Sequence, residues 1–242
     1  MKKIADRGSV SIGVSVDQPL LGLADVNGVP QGFDVEIARL IAHSLGLNDA
    51  EITWVPVTAA DRVSVLADRD VDFVVSSFAM TLTNEASVGF GGPYYVAGQS
   101  IMVNTGDTTI TGKGSVVGRS VCAVASSAAA EKLASLRASV VLVDSLSQCI
   151  EPLRSGAVEA VSSDNVLLEG FRAANPGQFE LVGSPFTVQP YGVGIRRNDL
   201  PFKYFIDDVL EESYADGTYK ALWQKTAGKT LGFVSPPTIS SE

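Results

Sequence analysis

The stretch Gly32–Leu45, GFDVEIARLIAHSL, decides how this chain is read. Phe33, Ile37, Leu40, Ile41 and Leu45 recur at helical spacing and form one apolar stripe. Asp34 stands where an N-cap is wanted, and Gly46 where the helix would end. The spacing predicts an amphipathic helix laid on a sheet. Before it, Val10–Val16 reads as a strand, and Asp17–Pro30 as an irregular stretch carrying the Asn27-Gly28 turn signal. After it come a strand at Ile52–Val57, a helix at Ala60–Ala67 and a strand at Val71–Val75 whose continuous apolar letters suit a parallel sheet. This β-α-β-α-β succession opens a doubly wound α/β unit.

Ser76–Gly92 is polar, Gly-rich and without period, a loop of the kind that carries function. Pro93-Tyr94-Tyr95 leads into a strand at Gln99–Asn104, and Thr105–Ser115 reads as a Thr/Gly-rich connector. Gly106–Lys113 imitates a phosphate loop, but its spacing is one residue too long and Gly114 stands where Ser or Thr is needed. A second α/β series starts at Ser120. Strands are predicted at Ser120–Val124, Val140–Val143, Ala157–Ser162 and Gln178–Val182, with helices at Ser127–Ala138, Ser145–Ser155 and Asp164–Ala174 between them. A strand at Val193–Ile195 and helices at Pro201–Tyr214 and Gly217–Thr226 close the chain.

With 242 residues, 45% hydrophobic and 19% charged, the chain can bury one large core or two modest ones. It has no run of eighteen apolar residues to span a membrane. Lys2 and Lys3 imitate the start of a signal peptide, but Asp6, Arg7 and Gly8 stand where its apolar stretch should be. A net charge of −9 argues against nucleic acid or an anionic membrane surface as partner. Cys122 and Cys149 lack metal-ligand spacing, and the only histidine, His43, sits on the organising helix. A disulfide and a pair of buried thiols both remain open at this point.

The letters themselves carry a resemblance. G-F-D-V-E-I, then I-A and a further apolar position, resembles the signature of family 3 extracellular solute-binding proteins, the amino-acid receptors of bacterial ABC importers. Asp17-Gln18-Pro19 with Leu21-Gly22-Leu23, Thr58 to Arg62, and Gly92-Pro93-Tyr94-Tyr95-Val96-Ala97-Gly98-Gln99 are similar to segments of glutamate-binding members, the actinobacterial ones above all. Val121-Cys122 and Gln148-Cys149 fall where that subgroup has paired cysteines, so the resemblance implies a disulfide. It also implies a type II periplasmic-binding-protein-like α/β fold of two lobes, the second inserted into the first through a two-strand hinge. Residues 1–103 and 191–242 would form lobe one, and 104–190 lobe two.

A zwitterionic amino acid taken out of water needs an anion for its ammonium and strong donors for its carboxylate. Asp164, opening a helix after a strand, is the candidate for the ammonium; the alternative is a plain N-cap. Ser127 and Thr81 match hydroxyl contacts of the family, and Phe78, Ala79 and Met80 would line the same wall. Arg62 matches the arginine that pairs with a distal carboxylate in acidic-amino-acid receptors; the alternative is an exposed helix arginine. Asp17 and Gln18 join the ligand-binding set by resemblance. One position departs from the pattern: the family's carboxylate-binding arginine is Ala86 here, and Leu20, Ala59 and Ala79 replace aromatic or polar contacts. The pocket keeps an anion for an amine and lacks its main cation for a carboxylate.

These residues predict an exported, monomeric solute-binding protein that closes over a small amine-bearing solute by hinge motion and delivers it to an ABC permease. Glutamate, aspartate, glutamine or a derivative is the ligand class. No cofactor, metal or catalytic residue is expected, and the signal and lipid anchor of a lipoprotein would lie outside this sequence. Two other functions are a cyclohexadienyl-dehydratase-like lyase, needing a buried acid such as Glu85 or Asp164, and the ligand-sensing domain of a larger receptor, with Pro236-Pro237 and the polar end as a linker.

Overall fold

The organising helix runs over Phe33–Ser44 in a computed structural model that describes residues 2–239. It starts two residues earlier than a cap at Asp34 would require. Gly32 is the N-cap, and the first amides are met by the preceding chain: Phe33 N–H donates to Leu20 O at 2.8 Å and Asp34 N–H to Leu21 O at 3.0 Å. That approach needs a glycine, because a Cβ at Gly32 would stand 2.3 Å from Leu21 O, and its φ of 134° disfavours side chains. Asp34 is therefore released from capping and is buried instead. Phe33 meets Tyr219 and Trp223 edge-on, at 5.3 and 4.9 Å between ring centroids.

The chain forms two compact units. The first comprises the chain up to Val16, Leu20–Val96 and everything from Pro190 on; the second comprises Asp17–Pro19 and Ala97–Gln189. The first unit's sheet has the order Ile52–Pro56, Val10–Val14, Phe73–Val74, Gln189–Ile195, Gly89–Ala97. Its first three strands are parallel, as their apolar runs predict, and Gly194 pairs antiparallel with Val74. The long strand Gly89–Ala97 is hidden in the sequence by Gly91-Gly92-Pro93, which read as loop. The stretch read as irregular also holds order: Gly22–Ala24 pairs antiparallel with Pro30–Gln31, and the Asp25 carboxylate accepts the turn amides of Asn27 and Val29.

The second unit's sheet has the order Ser139–Val143, Ser120–Val124, Ala160–Asp164, Gln99–Asn104, Phe179–Val182. The first three are parallel to one another, and Gln99–Asn104 runs antiparallel between its neighbours. That pairing draws Gln99–Asn104 into the second unit, so the chain crosses after Val96 rather than near residue 103, and returns at Pro190. Ile101, Val103, Val121, Ala123 and Leu133 form the core there. Cys122, in its strand, and Cys149 are joined in a disulfide with Cα atoms 5.7 Å apart. Among the described residues no helix is long and apolar enough to cross a membrane. The polar end read as a possible linker lies, from residue 240 on, outside the described residues.

The bridge closes a loop with a sequence separation of 27, which should stabilise the protein by roughly 3–4 kcal/mol in the chain-entropy model. Thiol titration of denatured, unreduced protein is expected to find no free thiol, and reduction to lower the unfolding free energy from denaturant titration by that amount. Two titratable thiols would contradict it.

Candidate functional site

In the first unit the chain leaves the strand Phe73–Val74 and turns through Ser76–Thr81, the segment that carries four of the sequence-predicted site residues. Ser77 has a φ of 42°, a left-handed conformation uncommon for a residue with a side chain. Three groups hold this turn. The Ser15 and Ser76 hydroxyls lie 2.5 Å apart; Arg62 Nη1 donates to Ser76 O and Ser77 O, each at 3.1 Å; and Asp34 Oδ2 accepts from Ser77 N–H at 2.7 Å. The other oxygen, Asp34 Oδ1, accepts from the Tyr94 hydroxyl at 2.9 Å.

Arg62 is thus no exposed helix arginine. It is half-buried, seated on two carbonyls, with its guanidinium carbon 5.0 Å from the centre of the Phe78 ring. Phe78 packs edge-on against Phe90 at 4.8 Å, and its carbonyl accepts from Gly192 N–H. Gly194 leaves room for that ring, since a Cβ there would stand 2.7 Å from it. Met80 N–H donates to Pro190 O at 2.8 Å, and Ala79 O accepts from Asn84 Nδ2 at 2.8 Å. The Thr81 hydroxyl accepts from Asn84 N–H at 3.2 Å and so caps the short helix Leu82–Glu85. Ala86 follows that helix and is exposed, as is Glu85.

In the second unit Asp164 and Ser127 stand at the carboxyl ends of two adjacent parallel strands, where α/β sheets place ligands. Asp164 is 8% exposed and makes no side-chain bond to the first amides of the helix Asn165–Ala174. The plain N-cap role is therefore not how its carboxylate is used. Oriented by its surroundings, the Gln189 amide donates to Asp164 Oδ1 at 2.7 Å and Oδ2 at 3.2 Å. Ser127 does cap: its hydroxyl accepts from Ala130 N–H at 3.2 Å and donates to Val124 O at 2.6 Å, directly after Ser126 at a φ of 58°. Asp17 and Gln18 form a two-residue strand and are half-buried; Asp17 Oδ2 accepts from the Ser147 hydroxyl at 3.2 Å.

Burial pushes the Asp34 carboxyl up to about 6, even though the Ser77 amide, the Tyr94 hydroxyl and the Arg62 charge all favour the ionised form. The Tyr94 hydroxyl is driven well above its ordinary range, first by burial and then by the neighbouring Asp34 charge. The first unit also carries a cavity of about 570 Å³, lined among others by Leu20, Asp25, Glu36, Arg39 and Lys225; it holds none of the predicted site residues. Its cations are paired within it, Glu36 accepting from Arg39 at 3.0 Å and from Lys225 at 3.1 Å. Among the described residues no group of three or more His, Cys, Asp or Glu could hold a metal ion.

Sequence reasoning missed Asp34, Ser77 and Gln189 as members of these walls. Asp34 had a signal: with Ile37, Ala38 and Ile41 it falls at helical spacing on the buried face. Ser77 and Gln189 had none, since their roles come from backbone conformation and long-range packing.

Comparison with known proteins agrees on one family. Residues 10–229 match the family described as bacterial extracellular solute-binding proteins, family 3. The glutamate-binding protein GluB of Corynebacterium glutamicum is 31% identical over 236 residues, covering 93% of this chain and 80% of that protein. An ancestral arginine-binding protein bound to glutamine superposes with a TM-score of 0.86 at 28% identity, covering 94% of this chain and 99% of that one. AncCDT-1, an ancestral amino acid-binding protein and precursor of cyclohexadienyl dehydratase, shares the fold at TM-score 0.84 and 24% identity, covering 93% and 97% of the two chains.

The raised Asp34 value has a defined sign. A folded carboxyl at about 6 against 3.8 binds a proton that the unfolded chain does not, so its stabilising contribution is present below 3.8 and is lost as pH rises through 6. Lowering the pH from 7.5 to 5 should therefore stabilise the protein by about 1 kcal/mol relative to Asp34→Asn, whose amide does not titrate. Paired denaturant titrations check this; equal pH slopes for the two proteins would contradict it.

Proposed function

We propose that this chain, which belongs to family 3 of the bacterial extracellular solute-binding proteins, is the receptor of an ABC importer for an amino acid or a close derivative. It binds the solute reversibly and does no chemistry on it. The observation that carries the reading is Asp164: a buried carboxylate that leaves its own helix amides alone and is oriented by a neutral amide at Gln189. Such a group suits an ammonium, which needs a charged partner once water is gone. Arg62, seated on Ser76 O and Ser77 O beside Phe78, suits the anionic or polar far end of a ligand such as glutamate, aspartate or glutamine. Phe78, Ala79, Met80 and Thr81 supply the wall, with Ser127, Asp17 and Gln18 from the second unit. Hinge closure on the ligand, export, a lipid anchor, a monomeric state and delivery to a membrane permease complete the proposal.

A lyase on the same scaffold would need a buried acid open to substrate. Of the two candidate acids, Glu85 is exposed, and Asp164 is oriented by the Gln189 amide and assigned here to the ligand ammonium, which supports binding without catalysis.

Calorimetry over the twenty amino acids and their decarboxylated and amidated analogues tests the proposal. Asp164→Asn should weaken the best ligand by about 2–5 kcal/mol, the range for truncating one side of a buried charge pair. An unchanged affinity would remove Asp164 from the site.

The same panel tests the lost arginine. Neutral donors are about half as strong as a charge-assisted fork, so common L-amino acids should bind weakly unless their carboxylate reaches Arg62. Ala86→Arg should tighten them by at least about tenfold, the equivalent of one good charged hydrogen bond. Submicromolar binding of an ordinary L-amino acid without gain from Ala86→Arg would show that the backbone replaces the arginine unaided.

A further inference from the structure

Within the first unit a buried carboxylate, Asp34, contacts the turn that leads into the proposed ligand wall. We propose that Asp34 is a positioning residue for ligand binding: by accepting the Ser77 amide it holds the Ser76–Ser77 turn in the conformation on which Arg62 is seated. The inference rests on the reading of Arg62 and Phe78–Thr81 as ligand wall.

The geometry leaves Asp34 little else to do. It is 0% exposed, and the helix start is capped by the Leu20 and Leu21 carbonyls. The next acid on the helix, Glu36, instead forms an ion pair with Arg39 and Lys225. Asp34 reaches a segment 43 positions away, at 2.7 Å, and the residue it grips is the one whose φ of 42° places it in the left-handed region. Serine has no intrinsic reason to stay there, and strained backbone of this kind persists only where its surroundings over-determine it. The carbonyls on either side of the gripped amide, those of Ser76 and Ser77, are the two that accept from Arg62 Nη1. Releasing the amide lets φ relax, rotates both peptide planes and takes away the two acceptors that aim the guanidinium.

Protonation is the natural release. A charged acceptor binds an N–H about twice as strongly as a neutral one, so the neutral carboxyl holds Ser77 weakly. The titratable and charged groups acting on Asp34 are Tyr94 from the strand Gly89–Ala97 and Arg62 from the helix Arg62–Ala67. Neither titrates between pH 5 and 7.5: Tyr94 is held far above its usual value, and an arginine stays charged. His43, on the same helix, faces Asp49 instead, at 2.9 Å. Ligand affinity therefore falls on acidification through about pH 6, the value to which burial pushes this carboxyl.

Two measurements test the proposal on the full chain. The first is amide hydrogen exchange of Phe73–Thr81 without ligand, corrected for the intrinsic pH dependence. At pH 7.5 Asp34→Asn should exchange about tenfold faster than the wild type, as expected for loss of a charged hydrogen bond. Wild-type exchange should itself accelerate from pH 7.5 to 5, with the variant flat. Tyr94→Phe keeps the carboxylate but removes one donor to it, so its step should move to higher pH; this variant decides the matter if Asp34→Asn does not fold. The second is calorimetry with L-glutamate and L-glutamine as probes. Wild-type affinity should drop about fivefold or more between pH 7.5 and 5, and that of Asp34→Asn should not change with pH. Equal exchange in wild type and Asp34→Asn, or pH-independent exchange in both wild type and Tyr94→Phe, overturns the proposal. If neither probe binds at any pH, the reading of the function fails, and the exchange arm still decides the role of Asp34.

Discussion

Taking the Asp34 carboxyl group out of water costs more than a single hydrogen bond returns, and much of the first unit is arranged around that cost. One oxygen is met by the Ser77 amide and the other by Tyr94, itself buried. Tyr94 is fixed in turn, because its carbonyl accepts from the Tyr219 hydroxyl at 2.9 Å and its ring packs beside Phe33, which Tyr219 and Trp223 meet edge-on. Tyr94 thus links the strand Gly89–Ala97 to the helix Thr218–Lys225, and Asp34 links that strand to the organising helix. The same group sets the backbone of the loop after Phe73–Val74. Packing and site geometry in this unit are therefore a single problem, since the core residue that must be satisfied is also the one that shapes the wall.

The second unit handles its buried carboxylate differently. Asp164 stands at a strand end, and the neutral amide of Gln189 donates to both of its oxygens. Those bonds orient the carboxylate without cancelling its charge, as the Ser76 and Ser77 carbonyls orient Arg62 without cancelling its own.

How legible this was depends on the range of the interaction concerned. The parallel strands, the organising helix and the second α/β series follow from apolar period and flanking glycines, which are local. The long strand Gly89–Ala97 was not legible, because Gly91, Gly92 and Pro93 carry loop signals that burial on both faces overrides. The unit boundary near residue 97 depends on strand pairing with partners some sixty positions on, which no local pattern records. Arg62, Asp164 and the disulfide were legible only through resemblance to a family. Asp34 was visible as an acid on a buried face and was assigned to a cap because local rules favour that; Gly32 and the Leu20 and Leu21 carbonyls filled the role first.

The cavity of about 570 Å³ on the first unit shows why volume alone does not choose a site. It is of the size that holds small ligands and contains Arg39 and Lys225, the kind of cations a carboxylate seeks. Both are bound to Glu36, with Lys225 Nζ at 3.1 Å from each oxygen, so an incoming anion would have to break charge–charge contacts that already exist. A ligand there would recover only the difference between its own pairing and the one it replaces. The way its charges are already paired therefore argues against this cavity as a site for an anionic solute, and it does so from the chemistry of the neighbours rather than from volume.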